Sequence, residues 1–196
     1  MAKSISRCDW CGDDNLYVAY HDEEWGVPSR DDATLFEFLL LEGAQAGLSW
    51  ITVLRKRENY REAFDGFDPE QIACYGKRKI NRLLKNEGII RNQLKIKSAI
   101  TNAQRFLAMR DTGQSFSDFI WSFVDQVPLQ NQYQSMAQVP ATTPTSDAMS
   151  KALKKAGFSF VGSTICYAYM QSIGMVNDHL VTCHRHQACR EMGIIQ

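Results

Sequence analysis

The sequence predicts an all-α protein. Apolar residues recur at helical spacing through most of the chain, whereas runs in which apolar and polar residues alternate, as in half-buried strands, are scarce. Residues that begin or end helices stand where this spacing starts and stops. With 196 residues and 44% hydrophobic content, the chain is long enough to bury a proper core.

The first helices are marked by capping residues followed by apolar ones. The apolar residues of 35–40 share one helical face after the capping candidates Asp31 and Asp32. A second helix is predicted to begin at Trp50, directly after Ser49. Both predictions place helices in the first third of the chain.

Later helix boundaries rest on proline and glycine. The string Asp-Pro-Glu at 68–70 is typical of a helix start, because proline is favoured in the first turn. Another helix is predicted to begin at Ser146 and Asp147 and to end at Gly157. The segment 128–145 holds three prolines and is interpreted as a long surface connection.

Positive charge is concentrated in residues 77–97. Helical spacing breaks at 88–90 and then resumes, which predicts two helices joined by a short turn that contains Gly88. Such a hairpin can direct backbone N–H groups and cationic side chains at phosphates. A solvated helical face and an ordinary turn between packed helices are the alternatives. Against the single acid Glu87 stand Lys77, Arg78, Lys79, Arg82, Lys85, Arg91, Lys95 and Lys97.

Composition restricts the class of protein. The net charge is zero, which argues against a protein that coats nucleic acid through bulk electrostatics. No apolar run is long enough for a membrane span or a signal segment, so a soluble cytoplasmic protein is expected. The cysteine pattern suits a reducing compartment better than a disulfide framework. We expect a single domain over 1–196, with two helical lobes as an alternative, and a monomer.

All four histidines and four of the six cysteines lie near the two ends of the chain. Thiolate and imidazole groups together suit zinc, which takes four ligands tetrahedrally. The sequence therefore predicts a metal ion that joins the two ends, with chance clustering as the alternative. The candidate ligands are Cys8, Cys11 and His21 at one end and His179, Cys183, His184, His186 and Cys189 at the other.

A group of aromatic residues surrounds Glu42 in the sequence. Burying an acid beside an apolar helix costs free energy unless the acid has something to bind. Aromatic planes with one acceptor could hold a flat heterocycle that bears an amine or a positive charge. An aromatic core with Glu42 as a cap or an ion-pair partner is the alternative. The aromatic residues are Trp10, Tyr17, Tyr20, Trp25 and Trp50.

Several long and unusual strings occur in order along the chain: YVAYHDEEWGVP at 17–28, LEGAQAGLSW at 41–50, TVLRKRENY at 52–60, GFSFVGSTICY at 157–167 and VNDH at 176–179. They resemble the DNA-3-methyladenine glycosylase I family. The resemblance extends from about residue 7 to residue 183. It implies a helix-hairpin-helix DNA glycosylase fold, excision of 3-methyladenine from alkylated DNA, and one structural zinc that joins the two ends.

The family's functional positions fall on specific residues of this chain. Its zinc ligands correspond to Cys8, His21, His179 and Cys183. Its base pocket corresponds to Trp10, Tyr17, Tyr20, Glu42 and Trp50, among which Glu42 and Tyr20 are the catalytic candidates. Its strand-opening turn corresponds to Gly47 and Leu48. The basic hairpin adds Gly88, Arg91 and Lys95 as candidates for contacts with DNA.

The implied reaction is hydrolysis of an N-glycosidic bond. Methylation at N3 makes adenine a cation, which weakens this bond and lessens the catalytic assistance required. Glu42 is expected to accept from the exocyclic amine and the ring edge of an extruded base. The resemblance supplies no general base and no Schiff-base lysine, so a monofunctional enzyme that releases free 3-methyladenine from double-stranded DNA is expected.

Two other functions are compatible with parts of the sequence. The string His-Asp-Glu at 21–23 matches the H-x-E half of a zinc deaminase, but the accompanying C-x-x-C at 8–11 lies upstream rather than downstream. A zinc-containing protein that binds DNA damage without cutting is the second alternative. The complete set of aromatic residues around Glu42 favours an enzyme.

Overall fold

Eleven α-helices dominate the computed structural model, which describes residues 5–193. The predicted all-α class is confirmed, because the described strands are two segments of two residues each. No helix in this part of the chain is long and apolar enough to cross a bilayer. The helices are α1 Asn15–Glu23, α2 Asp32–Gln45, α3 Trp50–Leu54, α4 Arg57–Ala63, α5 Pro69–Ala73, α6 Lys77–Lys85, α7 Gln93–Asp111, α8 Phe116–Trp121, α9 Pro144–Lys155, α10 Ser163–Ser172 and α11 His184–Met192.

The predicted helix starts are found at or near their expected positions. Asp31 caps α2 by accepting a hydrogen bond from the Thr34 N–H at 2.8 Å, and Asp68 caps α5 ahead of a proline. Helix α9 begins two residues earlier than predicted, at Pro144. The reason is a capping box, in which Thr143 and Ser146 exchange hydrogen bonds between side chain and backbone.

Helix α2 lies at the centre of the core. It packs against α3, α7, α8 and α10, and it is buried almost without interruption from Leu35 to Ala44. The Tyr169 hydroxyl, on α10, donates to the Leu35 carbonyl at 3.0 Å, and the rings of Phe36 and Phe106 lie 5.0 Å apart. Polar side chains on the second half of α2 are therefore attached to a backbone that is rigid and shielded from solvent.

The segment 128–145 is largely exposed, as predicted, but it is not wholly irregular. Strand β1, Leu129–Gln130, pairs in parallel with β2, Val176–Asn177. A short 3₁₀ turn follows at Met136–Gln138. Because β2 is followed directly by Asp178 and His179, this pairing helps to position residues near the end of the chain.

Helices α6 and α7 are the predicted pair of helices joined by a short turn. In the turn, the Gly88 N–H donates to the Asn86 side chain at 2.8 Å, and the Ile90 N–H donates to the Tyr60 hydroxyl at 3.1 Å. A Cβ atom at Gly88 would lie 3.0 Å from the Cβ of Asn59, so glycine allows the turn to approach α4 closely. The hairpin is thus fastened to the core rather than projecting freely.

Candidate active site and metal centre

A cavity of about 180 Å³ opens beside the second half of α2. At ~30 Å³ per water molecule, this volume corresponds to about six waters, which suits one small planar molecule. All five residues assigned to the base pocket from the sequence line it. The complete lining consists of Trp10, Tyr17, Tyr20, Trp25, Glu42, Gln45, Trp50, Met136, Ala168 and Gln171.

Aromatic rings form most of the cavity wall. Tyr20 and Trp50 lie with ring centroids 5.3 Å apart, and Trp10 lies 4.8 Å from Tyr17 and 4.9 Å from Trp25. Such rings offer extended apolar faces together with the negative quadrupole that attracts a cation. The wall is suited to a flat and electron-poor ligand.

Glu42 provides the carboxyl group of this lining. The Glu42 side chain is buried, and the residues next to it on α2 are apolar. This burial raises the pKa of Glu42 to about 8. Burial has this effect because it penalises the charged form of a carboxyl group. Near neutral pH the carboxyl group is therefore mostly in its neutral form, and a cationic ligand would favour ionisation.

Three buried polar atoms of cavity-lining residues lack a hydrogen-bond partner among the described residues. They are Nε1 of Trp10, Oε2 of Glu42 and Nε1 of Trp50, and they make up three of the five such atoms in residues 5–193. A buried donor or acceptor left unpaired costs about 1–3 kcal/mol. Their common location indicates a ligand that supplies both acceptor and donor atoms.

A turn that bears Leu48 follows α2 beside the cavity. Gly47 has φ of +79°, a value that favours glycine, and the Leu48 side chain is 41% exposed. A second hollow of about 320 Å³ extends from this turn and shares Glu42 and Gln45 with the aromatic cavity. Leu48 thus lines a hollow that adjoins the aromatic cavity.

The basic residues of 77–97 divide into two groups. Lys79 is paired with Asp65 at 2.8 Å, and Lys95 donates to the carbonyls of Ala44 and Ala46. Six side chains lie on exposed positions, where Arg91 makes a single 3.4 Å contact with Glu87. These six are Lys77, Arg78, Arg82, Lys85, Arg91 and Lys97.

The two ends of the chain meet in a buried cluster of Cys8, His21, His179 and Cys183. Their potential ligand atoms all lie within 4.8 Å of one another. The Cys183 sulfur is 3.5 Å from Nε2 of His21 and 3.6 Å from Nδ1 of His179, which is itself 3.7 Å from the Cys8 sulfur. This cluster could hold a metal ion.

Both imidazoles of this cluster are held by contacts at the ring nitrogen that does not face the cysteine sulfurs. Nδ1 of His21 lies 2.7 Å from Asp22, and Nε2 of His179 lies 2.9 Å from the Trp25 carbonyl. Hydrogen bonds from Arg7 and His21 lower the pKa of Asp22 to about 2, so this carboxylate stays ionised. Partners of this kind fix the ring nitrogens that face a metal.

The two thiols of the cluster are electrostatically coupled. Their mutual hydrogen bond raises the pKa of Cys8 and lowers that of Cys183. Backbone N–H groups also donate to both sulfurs, from Leu180 at 3.3 Å and from Arg185 at 3.4 Å. The environment therefore favours thiolate character at Cys183, and a metal ligand requires a thiolate.

A family model described as methyladenine glycosylase matches residues 10–186 of this chain. The chain belongs to the methyladenine glycosylase family. DNA-3-methyladenine glycosylase 1 of Escherichia coli is 53% identical over 179 residues, which cover 91% of this chain and 96% of that protein.

Solved structures of 3-methyladenine DNA glycosylase I agree with this assignment. One crystal structure matches with a TM-score of 0.91 and 57% identity, and covers 92% of this chain and 100% of its own. A variant crystallised in complex with 3-methyladenine matches with a TM-score of 0.87 and 35% identity, and covers 91% of this chain and 96% of its own.

In this methyladenine glycosylase family member, the other candidate histidines and cysteines lie outside the cluster of Cys8, His21, His179 and Cys183. His184 contacts the Ser6 carbonyl at 3.0 Å, and His186 contacts the Asn131 carbonyl at 2.9 Å. Cys11 and Cys189 are buried away from the four grouped ligand atoms. The four residues implied by the family resemblance are therefore the ones brought together.

Sequence reasoning missed part of the cavity of this family member. Gln45 lies one helical turn after Glu42, so helical spacing could have identified it. Gln171 and Ala168 share a face of α10 in the same way, but nothing local ties that face to Glu42. Met136 comes from the segment interpreted as a surface connection, and only tertiary structure brings it to the cavity.

Proposed function

We propose that this chain is a DNA-3-methyladenine glycosylase, which hydrolyses the N-glycosidic bond of 3-methyladenine in alkylated double-stranded DNA during base-excision repair. The main support is the group of unpaired atoms from Trp10, Glu42 and Trp50 in one aromatic cavity. An adenine derivative offers ring-nitrogen acceptors for the indole donors and an amino donor for Glu42. The sequence identity to enzymes of this name supports the same conclusion.

Selectivity for the lesion follows from charge. N3-methyladenine in DNA is a cation, whereas unmodified adenine is neutral, and the aromatic faces attract a cation. When Glu42 ionises beside such a base, its negative charge balances the positive charge of the base. Without a cation beside it, the pKa of about 8 keeps Glu42 largely neutral. Both effects favour the methylated base over the unmodified one.

The hydrolytic step needs little assistance because the cationic base is a good leaving group. We assign recognition of the departing base to Glu42 and closure of the aromatic wall to Tyr20, and we assign no general base. Glu42 is the one carboxyl group among the described residues that line the cavity, and that lining includes no lysine. A monofunctional enzyme, which leaves an abasic site, is consistent with both features.

DNA is proposed to lie across the α6–α7 hairpin and the turn that bears Leu48. The exposed basic side chains, including Arg91, would neutralise phosphates, and Gly88 allows the turn to stay compact. The exposed Leu48 would fill the gap left by the extruded nucleotide. Gly47 supplies the conformation that this turn requires. Lys95 is engaged with α2, so its contribution is to position the turn rather than to contact phosphate.

Zinc is the ion proposed for the Cys8, His21, His179 and Cys183 cluster. The sulfur–nitrogen separations of 3.5 to 3.7 Å match the edges of a tetrahedron with bonds of about 2.0–2.3 Å. Four protein ligands leave no open position for a reacting water, which makes the ion structural and argues against a deaminase. When bound, zinc would join the ends of one domain spanning 1–196, which we propose acts as a cytoplasmic monomer.

Release of free base from DNA tests this proposal. Duplex DNA treated with a methylating agent is incubated with the protein, the released bases are separated by chromatography, and strand integrity is examined in parallel. The expected products are free 3-methyladenine and an uncut strand with an abasic site. Binding without release would indicate a damage-binding protein, and release of ammonia would indicate a deaminase. Unmethylated DNA provides the control.

A further inference from the structure

Gln171 lines the aromatic cavity from α10, and its side-chain amide is held in place from behind. Its Nε2 donates to Oδ2 of Asp178 at 2.8 Å. Its backbone carbonyl accepts from the Gly26 N–H at 3.0 Å, which fixes the position of the residue. Gln171 is therefore anchored at both ends rather than free to change rotamer.

The Asp178 side chain accepts every hydrogen bond that it makes with the described residues. The Tyr167 hydroxyl donates to its Oδ2 at 2.7 Å, and Nδ2 of Asn131 donates to its Oδ1 at 2.6 Å. Burial and the contact with Asp178 raise the pKa of Tyr167, so the phenol keeps the proton that it donates. Asp178 itself is fully buried, and no water competes for its oxygens.

This arrangement determines which end of the Gln171 amide is available to a ligand. A carboxylate accepts hydrogen bonds and does not donate them, so the NH₂ group must face Asp178. The carbonyl oxygen, Oε1, is then the atom available to the cavity. It makes no hydrogen bond with the described residues, 5–193.

We propose that Gln171 is a specificity-determining residue, which accepts a hydrogen bond from the amino group of the bound base, and that Asp178 is the positioning residue that orients it. The proposal rests on the function proposed above. An amino group carries two N–H donors, and Glu42 supplies one acceptor. Leaving the second donor buried and unpaired would cost the free energy of a hydrogen bond, which a second acceptor avoids.

The two acceptors together select purines that carry an amino group. A base with a carbonyl oxygen at that position would place oxygen against oxygen, and a base without a substituent would leave both acceptors unpaired. The orientation of the Gln171 amide thus depends on Asp178, which is itself held by Asn131.

The test compares the binding of two free bases, 3-methyladenine and 3-methylpurine, which lacks the amino group. Dissociation constants are measured by calorimetry for the parent protein, Gln171→Met, Gln45→Met, Asp178→Asn and a control, Gln104→Met, on an exposed part of α7. We expect Gln171→Met to weaken 3-methyladenine binding about tenfold, as for one lost hydrogen bond, and to leave 3-methylpurine binding within about twofold. Asp178→Asn should change the ratio of the two dissociation constants in the same direction but by less, because the amide of Gln171 can then turn.

Other outcomes would overturn the proposal in distinct ways. Equal weakening of both bases by Gln171→Met would mean that Gln171 only packs against the ligand. Unchanged affinity for both bases would exclude Gln171 as an acceptor, and loss of the preference for 3-methyladenine in Gln45→Met alone would assign the role to Gln45. If Gln171→Met does not fold, the ratio in Asp178→Asn decides. Failure of the parent protein to bind either base would overturn the proposed function itself.

Discussion

The ammonium group of Lys95 donates to the carbonyl of Ala46 at 2.7 Å, and to that of Ala44 at 2.8 Å. These carbonyls lie at the C-terminal end of α2, where a cation is favoured by the helix dipole. Lys95 belongs to α7, the second helix of the basic hairpin. The hairpin is therefore joined directly to the turn that bears Leu48, close to Glu42 on the same helix.

Lys95→Met should slow base excision from duplex DNA, because the turn loses the cation that holds its carbonyls. Two buried or half-buried acceptors would lose a partner, and we expect the free energy of unfolding to fall by about 1–3 kcal/mol. Affinity for free 3-methyladenine should change little, since Lys95 does not line the aromatic cavity. Single-turnover excision rates and urea unfolding measure the two effects.

Lys97→Met is the matched control, two residues further along the same helix and exposed. It should weaken DNA binding and reduce the salt dependence of the binding constant, as removal of a phosphate contact does. Lys95→Met should leave that salt dependence nearly unchanged. A large reduction of the salt dependence in Lys95→Met would show that Lys95 contacts phosphate after all.

Glu42→Gln should preserve the fold and weaken the binding of free 3-methyladenine. The substitution keeps the size of the side chain but removes the negative charge that the carboxylate can present to the amino group of the base. A hydrogen bond to a charged group contributes about 1.5–3 kcal/mol, which corresponds to a loss of affinity of roughly 10- to 150-fold. Calorimetry gives the constant directly, and an unchanged affinity would make Glu42 a structural carboxyl group.

Glu42 should also make stability depend on pH. Its pKa of about 8 in the folded protein exceeds the ordinary value of 4.5, so the unfolded chain loses its proton first as the pH rises. Stability is then lost progressively between these two values, by about 1.4 kcal/mol for each unit of pKa difference. Relative to the parent protein, Glu42→Gln should therefore become more stable from pH 5 to pH 8 in urea unfolding. A constant difference would indicate an ordinary pKa.

The predictable part of this molecule is the part with local signals. Asp31 and Asp68 precede helices because their side chains cap the first turn, and these starts were found at the predicted positions. The helix after Ser49 also begins as predicted, although the Ser49 side chain makes no capping hydrogen bond. The ligand set of the metal cluster followed from the family resemblance, whereas spacing alone left Cys11 and the histidines of α11 equally eligible.

Long-range packing determined what could not be predicted. The orientation of Gln171 depends on Asp178 and Asn131, which lie 7 and 40 residues away in the sequence. Helical spacing places Lys95 and Lys97 on different faces of α7, but the basic run gave no sign of which face packs against α2. Such distinctions require knowing which elements pack against the hairpin.

One zinc ion per chain is expected in purified protein, and its removal should loosen the ends of the chain. Chelation should lower the unfolding temperature, and added zinc should restore it, because binding to the folded state alone adds to stability. Cys183→Ser should abolish stoichiometric zinc, whereas Cys11→Ser, a buried cysteine outside the cluster, should retain it. Elemental analysis showing well under one zinc per chain in the parent protein would refute the assignment.

Leu48→Ala should slow excision from duplex DNA and leave the affinity for free 3-methyladenine unchanged. The side chain is exposed on the turn beside the cavity and does not line the aromatic wall, so truncation spares the base site. An apolar side chain that enters the base stack offsets part of the cost of unstacking, which amounts to a few kcal/mol per step. The defect should therefore shrink on single-stranded DNA, where no pairing has to be broken. Leu94→Ala, at an exposed leucine on α7, is the matched control, and equal rates on duplex DNA for Leu48→Ala and the parent protein would exclude Leu48 from strand opening.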